Sequence, residues 1–117
     1  MKFGLKEEQL QSIVEVIREV EKIEKASIFG SRARGDYEKT SDIDIAIYAP
    51  EISSLELNLL RDKLEQLDII YKIDVVDFFN ISKQGLIDNI KEEGKVIYEK
   101  ADYKLQIKDY SDQVSEN

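Results

Sequence analysis

The sequence predicts an α/β domain of the α+β kind, in which short strands alternate with amphipathic helices. Two stretches, Leu10-Ile13-Val14-Ile17-Val20 and Leu57-Leu60-Leu64-Leu67, repeat apolar residues at helical spacing. Between and after them lie short apolar runs of strand length, and Asp42-Ile43-Asp44-Ile45-Ala46-Ile47-Tyr48 alternates with period two. At 117 residues the chain is long enough for one core, and it contains no internal repeat.

The elements follow in order. A first helix carries the Leu10 to Val20 stripe and leads to a buried strand at Ala26-Ser27-Ile28-Phe29. Gly30-Ser31 then falls where a strand ends and a helix begins. After the Asp42 to Tyr48 strand and Pro50, Ser53-x-x-Glu56 has capping-box spacing and opens the second long helix. Lys72-Ile73-Asp74-Val75-Val76-Asp77-Phe78-Phe79 reads as a further strand. Ser82 is placed to cap a helix through Leu86, Ile87 and Ile90, with Gly94 as its left-handed terminator and Lys95 to Glu99 as a last strand. Residues 1–100 form the expected domain and residues 101–117 a polar C-terminal tail.

The chemistry is concentrated between residues 30 and 44. Residues i and i+2 of a strand share a face, so Asp42 and Asp44 project together while Ile43, Ile45 and Ile47 point into a core. Paired carboxylates repel and resist ionisation. A divalent cation such as Mg²⁺, which takes oxygen ligands from carboxylates, water and phosphates, relieves that repulsion. Backbone N–H groups at Gly30-Ser31 and the Ser31 hydroxyl are suited to phosphate oxygens. Ser31 as a plain helix cap is compatible with the same role. Asp74 completes an acidic triad if its strand pairs with that of Asp42 and Asp44, whereas Asp77 has the opposite parity.

The pattern Gly30-Ser31-Arg32-Ala33-Arg34-Gly35, six residues, then Asp42-Ile43-Asp44-Ile45, with a later Ile73-Asp74-Val75-Val76, resembles the nucleotidyltransferase superfamily of DNA polymerase beta. It is most similar to the minimal nucleotidyltransferases that act as antitoxins beside HEPT-domain toxins, over roughly residues 5–100. The resemblance implies the polymerase beta-like fold, a small mixed sheet with flanking helices. It makes Gly30 and Ser31 the triphosphate-binding turn and Asp42, Asp44 and Asp74 the catalytic carboxylates and ligands of two Mg²⁺ ions. It implies ATP as substrate and a cognate HEPT-domain toxin as partner. Arg32 and Arg34 are read either as neutralising phosphate charge or as a solvated helix face.

Composition agrees by exclusion. With no His and no Cys, the chain has no Ser-His-Asp or Cys-His chemistry, no zinc site of those residues and no disulfide, which leaves an all-oxygen Mg²⁺ or Mn²⁺ site. A net charge of −8 makes nucleic acid an unlikely partner. No run is long and apolar enough to span a membrane, so the expected location is cytoplasmic. The expected function is a Mg²⁺-dependent transfer of AMP from ATP to a tyrosine hydroxyl of the toxin. The alternatives are a non-catalytic toxin-binding module and a transferase acting on a small molecule of the aminoglycoside type.

Overall fold

A computed structural model describes residues 1–101; of the expected polar tail, all but Ala101 lies outside the described residues. The elements are α1 (Glu7–Arg18), β1 (Lys25–Phe29), α2 (Ser31–Arg34), β2 (Ile43–Tyr48), α3 (Ser54–Glu65), β3 (Ile73–Asp77), α4 (Gln84–Glu93) and β4 (Lys95–Glu99). A 3₁₀ turn at Phe78–Asn80 follows β3. The strands form one mixed sheet in the order β3-β2-β1-β4. β1 runs antiparallel to both β2 and β4, and β2 runs parallel to β3. A parallel pair needs a crossover, and α3 supplies it. No helix among the described residues is long and apolar enough to cross a membrane.

The period-two pattern sorts the sheet into two faces. Ala26, Ile28, Ile43, Ile45, Ile47 and Val75 are buried with Ile13 and Ile17 of α1 and Leu60 and Leu64 of α3 in the main core. Fully burying a side chain of this kind contributes about 1.5–3 kcal/mol. On the opposite face Phe29 and Ala46 pack against Ile90 of α4, with Tyr48, Val76, Phe78 and Leu86 around them. The second layer therefore covers only part of its face. Phe29 of β1 is paired with Asp44 of β2, so this face carries carboxylates at the C-terminal end of β1.

Several boundaries differ from the sequence reading, each for a local reason. Asp42 immediately precedes β2, which begins at Ile43, whose N–H donates to the Lys72 carbonyl at 2.8 Å. Phe78 and Phe79 leave the strand for the 3₁₀ turn, where Phe78 stacks on Tyr48 with ring centres 4.4 Å apart. The Ser53 capping box is formed: the Glu56 N–H donates to Ser53 Oγ at 3.1 Å and the Ser53 N–H to Glu56 Oε1 at 3.0 Å. Ser82 caps nothing; α4 starts one residue later, with Lys83 as an N-cap that makes no side-chain cap bond. Gly94 is not a left-handed terminator, since its φ of −60° and ψ of 134° are extended. The chain passes directly from α4 into β4 there, and a Cβ on Gly94 would collide with the Ile90 carbonyl oxygen and meet Ser27 Cβ at 3.5 Å.

Candidate active site

The site is assembled from three chain segments that the sheet brings together. β1 ends at Phe29, and Gly30 turns the chain with φ 75° and ψ −156°, a conformation essentially reserved for glycine. The turn also passes close to a carboxylate: a Cβ on Gly30 would lie 2.5 Å from Asp44 Oδ2. Ser31 opens the single helical turn α2, in which the Gly30 carbonyl accepts from the Ala33 and Arg34 N–H groups at 3.1 and 3.0 Å. Gly35 closes it in the left-handed conformation at φ 94°. The Gly30-Ser31 turn and Asp44 are thus in direct proximity, as their spacing in the sequence predicts.

Asp44 and Asp74 are register partners across the parallel β2–β3 pair, so their side chains leave the same face. Asp77 is paired with Ile47 on the core side, as its parity predicts. There it accepts a hydrogen bond from Asn80 Nδ2 at 2.6 Å, and among the described residues its buried Oδ1 has no partner. The carboxyl of Asp44 is held above the ordinary carboxylate range, chiefly by burial, then by the charges of Asp74 and Asp42. Arg34 and Lys72 oppose that shift. Asp42 and Asp74 therefore both lie within electrostatic reach of Asp44. Lys72 was not singled out in the sequence; its signal is its position two residues before Asp74, which puts its charge beside the same cluster.

The two arginines separate. Arg34 is exposed and ion-paired to Asp36 at 3.2 Å and to Glu93 of α4 at 2.9 Å, and these two carboxylates raise its pKa. It remains within electrostatic reach of Asp44. Arg32, read as a phosphate ligand or a solvated helix face, is neither: it is 2% exposed and its guanidinium is committed to backbone carbonyls of Ser41 and Phe3. Its three guanidinium nitrogens are thus all engaged by main-chain carbonyls.

Among the described residues no three carboxylates close into a cation cage on their own. The donor set nevertheless fits a hard divalent cation. It is composed of oxygen, its charges repel one another, and such a cation usually takes one or two carboxylates and completes its shell with water and substrate phosphates.

Residues 11–103 match the family model for the nucleotidyltransferases of the polymerase beta type. The chain belongs to the polymerase beta nucleotidyltransferase family. A Methanocaldococcus jannaschii relative named "Putative protein adenylyltransferase" is 43% identical over 60 residues, which is 50% of this chain and 63% of that protein. The chain thus spans less than two thirds of that relative's length. A second protein of that name and organism is 34% identical over 74% of this chain and 88% of its own length. Among solved structures, a toxin-antitoxin with AMP-PNP is similar over 92% of this chain and 90% of the matched chain, with a TM-score of 0.65 and 26% identity. The chain therefore has the mixed-sheet fold that its motif implied.

Proposed function

We propose that this nucleotidyltransferase moves AMP from ATP onto a tyrosine hydroxyl of a cognate HEPT-domain toxin, silencing it as an antitoxin. The observation that carries the reading is the juxtaposition of Asp44 with Asp74 in paired register and with the backbone of Gly30. That arrangement sets a glycine turn beside paired carboxylates in a family of nucleotidyltransferases. The names of the relatives and the AMP-PNP bound in a similar toxin-antitoxin structure support the nucleotide and the class of acceptor.

In this reading the backbone of Gly30 and Ser31, with the Ser31 hydroxyl, binds the β- and γ-phosphates. Asp42, Asp44 and Asp74 would hold Mg²⁺, which when bound supplies charge neutralisation at the phosphates and at the attacking and leaving oxygens. Asp74 takes the proton of the incoming hydroxyl. The new bond forms between that oxygen and the α-phosphorus, the bond from the α-phosphorus to the bridging oxygen of the β-phosphate breaks, and pyrophosphate leaves. Arg34 and Lys72 offset the negative charge around Asp44. The reaction belongs in the cytoplasm, where ATP and Mg²⁺ are supplied.

The test is intact-mass spectrometry on the toxin after incubation with this protein, ATP and Mg²⁺, beside the double variant Asp42→Asn, Asp44→Asn. A mass gain of one or more AMP groups with the native protein alone is the expected result. A stable complex that protects without any gain in mass overturns the enzymatic account and leaves neutralisation by occlusion.

A further inference from the structure

We infer that Arg32 is a positioning residue of the nucleotidyl-transfer site, fixing Asp42 against the Gly30-Ser31 turn. The inference rests on the reading above. Arg32 lies in the backbone directly after Ser31, so its main chain belongs to the turn. Its side chain reaches away from that turn to the peptide that leads into the first aspartate: Nε and Nη2 both donate to the Ser41 carbonyl, at 3.0 and 2.9 Å. Ser41 is bonded to Asp42, and one planar fork therefore ties the turn to the start of β2.

The rest of the guanidinium's surroundings extend this tie to the other segments. Tyr71, three residues before Asp74, lies against it with its ring centre 4.2 Å from Cζ, and Tyr37 lies 5.2 Å away. Nη1 donates to the Phe3 carbonyl at 2.9 Å. To deliver that carbonyl the N-terminal segment takes two consecutive left-handed residues, Phe3 at φ 59° and Gly4 at φ 71°. A Cβ on Gly4 would lie 2.9 Å from Arg32 Nη1, so the segment is seated directly on the guanidinium.

Filling space does not account for an arginine here. Burying a cation is costly, and an apolar residue of similar volume usually serves a core as well or better. Among the described residues Arg32 has no carboxylate within ion-pair distance. What the guanidinium supplies is geometry: two parallel donors on one carbonyl with aromatic rings against the same group, which an ammonium on a flexible stem cannot reproduce. Groups that hold metal-binding residues in place commonly change metal affinity 10–100-fold when altered.

The experiment compares the native protein with Arg32→Lys by Mn²⁺ titration, read by electron paramagnetic resonance with AMP-PNP present and below the melting transition of both. The expected result is a rise of about tenfold or more in the half-saturating Mn²⁺ concentration, with AMP-PNP affinity at saturating Mn²⁺ changed by less than about threefold. A lower Tm with an unshifted Mn²⁺ midpoint shows a purely structural role and overturns the proposal. Should Arg32→Lys fail to fold, Tyr37→Ala, which loosens the outer side of the guanidinium at a partly exposed ring, carries the same test: a shift in the same direction supports it and no shift overturns it. A native protein that binds no Mn²⁺ overturns the functional reading itself, and this inference with it.

Discussion

Asp44 stands beside Asp74 in the parallel β2–β3 register, so two carboxylates leave adjacent strands on one face of the sheet. Like charges in paired positions destabilise a sheet. Here the repulsion is visible in the raised pKa of Asp44, to which burial, Asp74 and Asp42 all contribute. The free protein carries this penalty where a cation and a polyphosphate would remove it.

The pH dependence of that penalty has a definite sign. A carboxyl whose folded pKa is raised contributes stability that is fully present below its unfolded pKa and is lost as pH rises through the folded value. At neutral pH, therefore, ionised Asp44 weakens the free protein. Asp44→Asn is expected to stabilise it at pH 7 by on the order of 0.5 kcal/mol, a small value because solvent screens a half-exposed group, while nucleotide transfer is lost. Urea denaturation at pH 7 and at about pH 4 checks this, since the gain must shrink at the lower pH. A gain of equal size at both values means that the repulsion is not its source.

Supplying the missing positive charge must act in the same direction as removing the negative one. Mg²⁺ with AMP-PNP at about 100 times the Kd is expected to add about 2.7 kcal/mol to stability, read as a rise in Tm that EDTA reverses. In the Asp42→Asn, Asp44→Asn variant the increment must largely disappear. A rise that survives in the variant places the cation elsewhere on the protein.

Gly30 and Gly35 bracket the same helical turn, yet substitution should separate them. Ala at Gly30 must adopt a backbone conformation essentially restricted to glycine and place its Cβ 2.5 Å from Asp44 Oδ2. It should cost about 1–3 kcal/mol and lower transfer at least about tenfold, because 1 Å of displacement at a reacting centre is enough for that. Ala at Gly35 meets nothing within 4 Å. It carries only the left-handed penalty of about 1–2 kcal/mol and should leave kcat within about twofold. Equal losses of kcat at the two positions contradict a phosphate-binding role for the Gly30 backbone.

How much of this was legible depended on whether a residue's role is local or set by distant partners. The parity of Asp44, the buried Ile43-Ile45-Ile47 face and the Ser53 capping box are properties of a few adjacent residues, and all appear as read. The pairing of Asp74 with Asp44 was conditional on strand register, which the sequence leaves open until β2 and β3 are seen to be parallel. Arg32 was misread because what determines its place, the carbonyl of Phe3 and the ring of Tyr71, lies 29 and 39 positions away in the chain. Its neighbour Arg34 has the same local context and ends up exposed, held by Glu93 of α4. Spacing alone does not tell two arginines of one helical turn apart.

Gly94 offers a test of that distinction between local conformation and tertiary contact. A left-handed helix terminator tolerates Asn better than Ala, because Asn enters that region more readily. In the extended conformation observed here, the need for glycine comes from the Ile90 carbonyl and Ser27 Cβ, which any Cβ would meet. Gly94→Asn and Gly94→Ala are therefore expected to destabilise the protein alike, each by about 1–3 kcal/mol as for other overpacked positions. Paired urea denaturation curves decide it: Asn clearly better tolerated than Ala restores the left-handed cap, whereas equal losses establish that the close approach of the Ile90 carbonyl of α4 and of Ser27 of β1 is what excludes a side chain at this point.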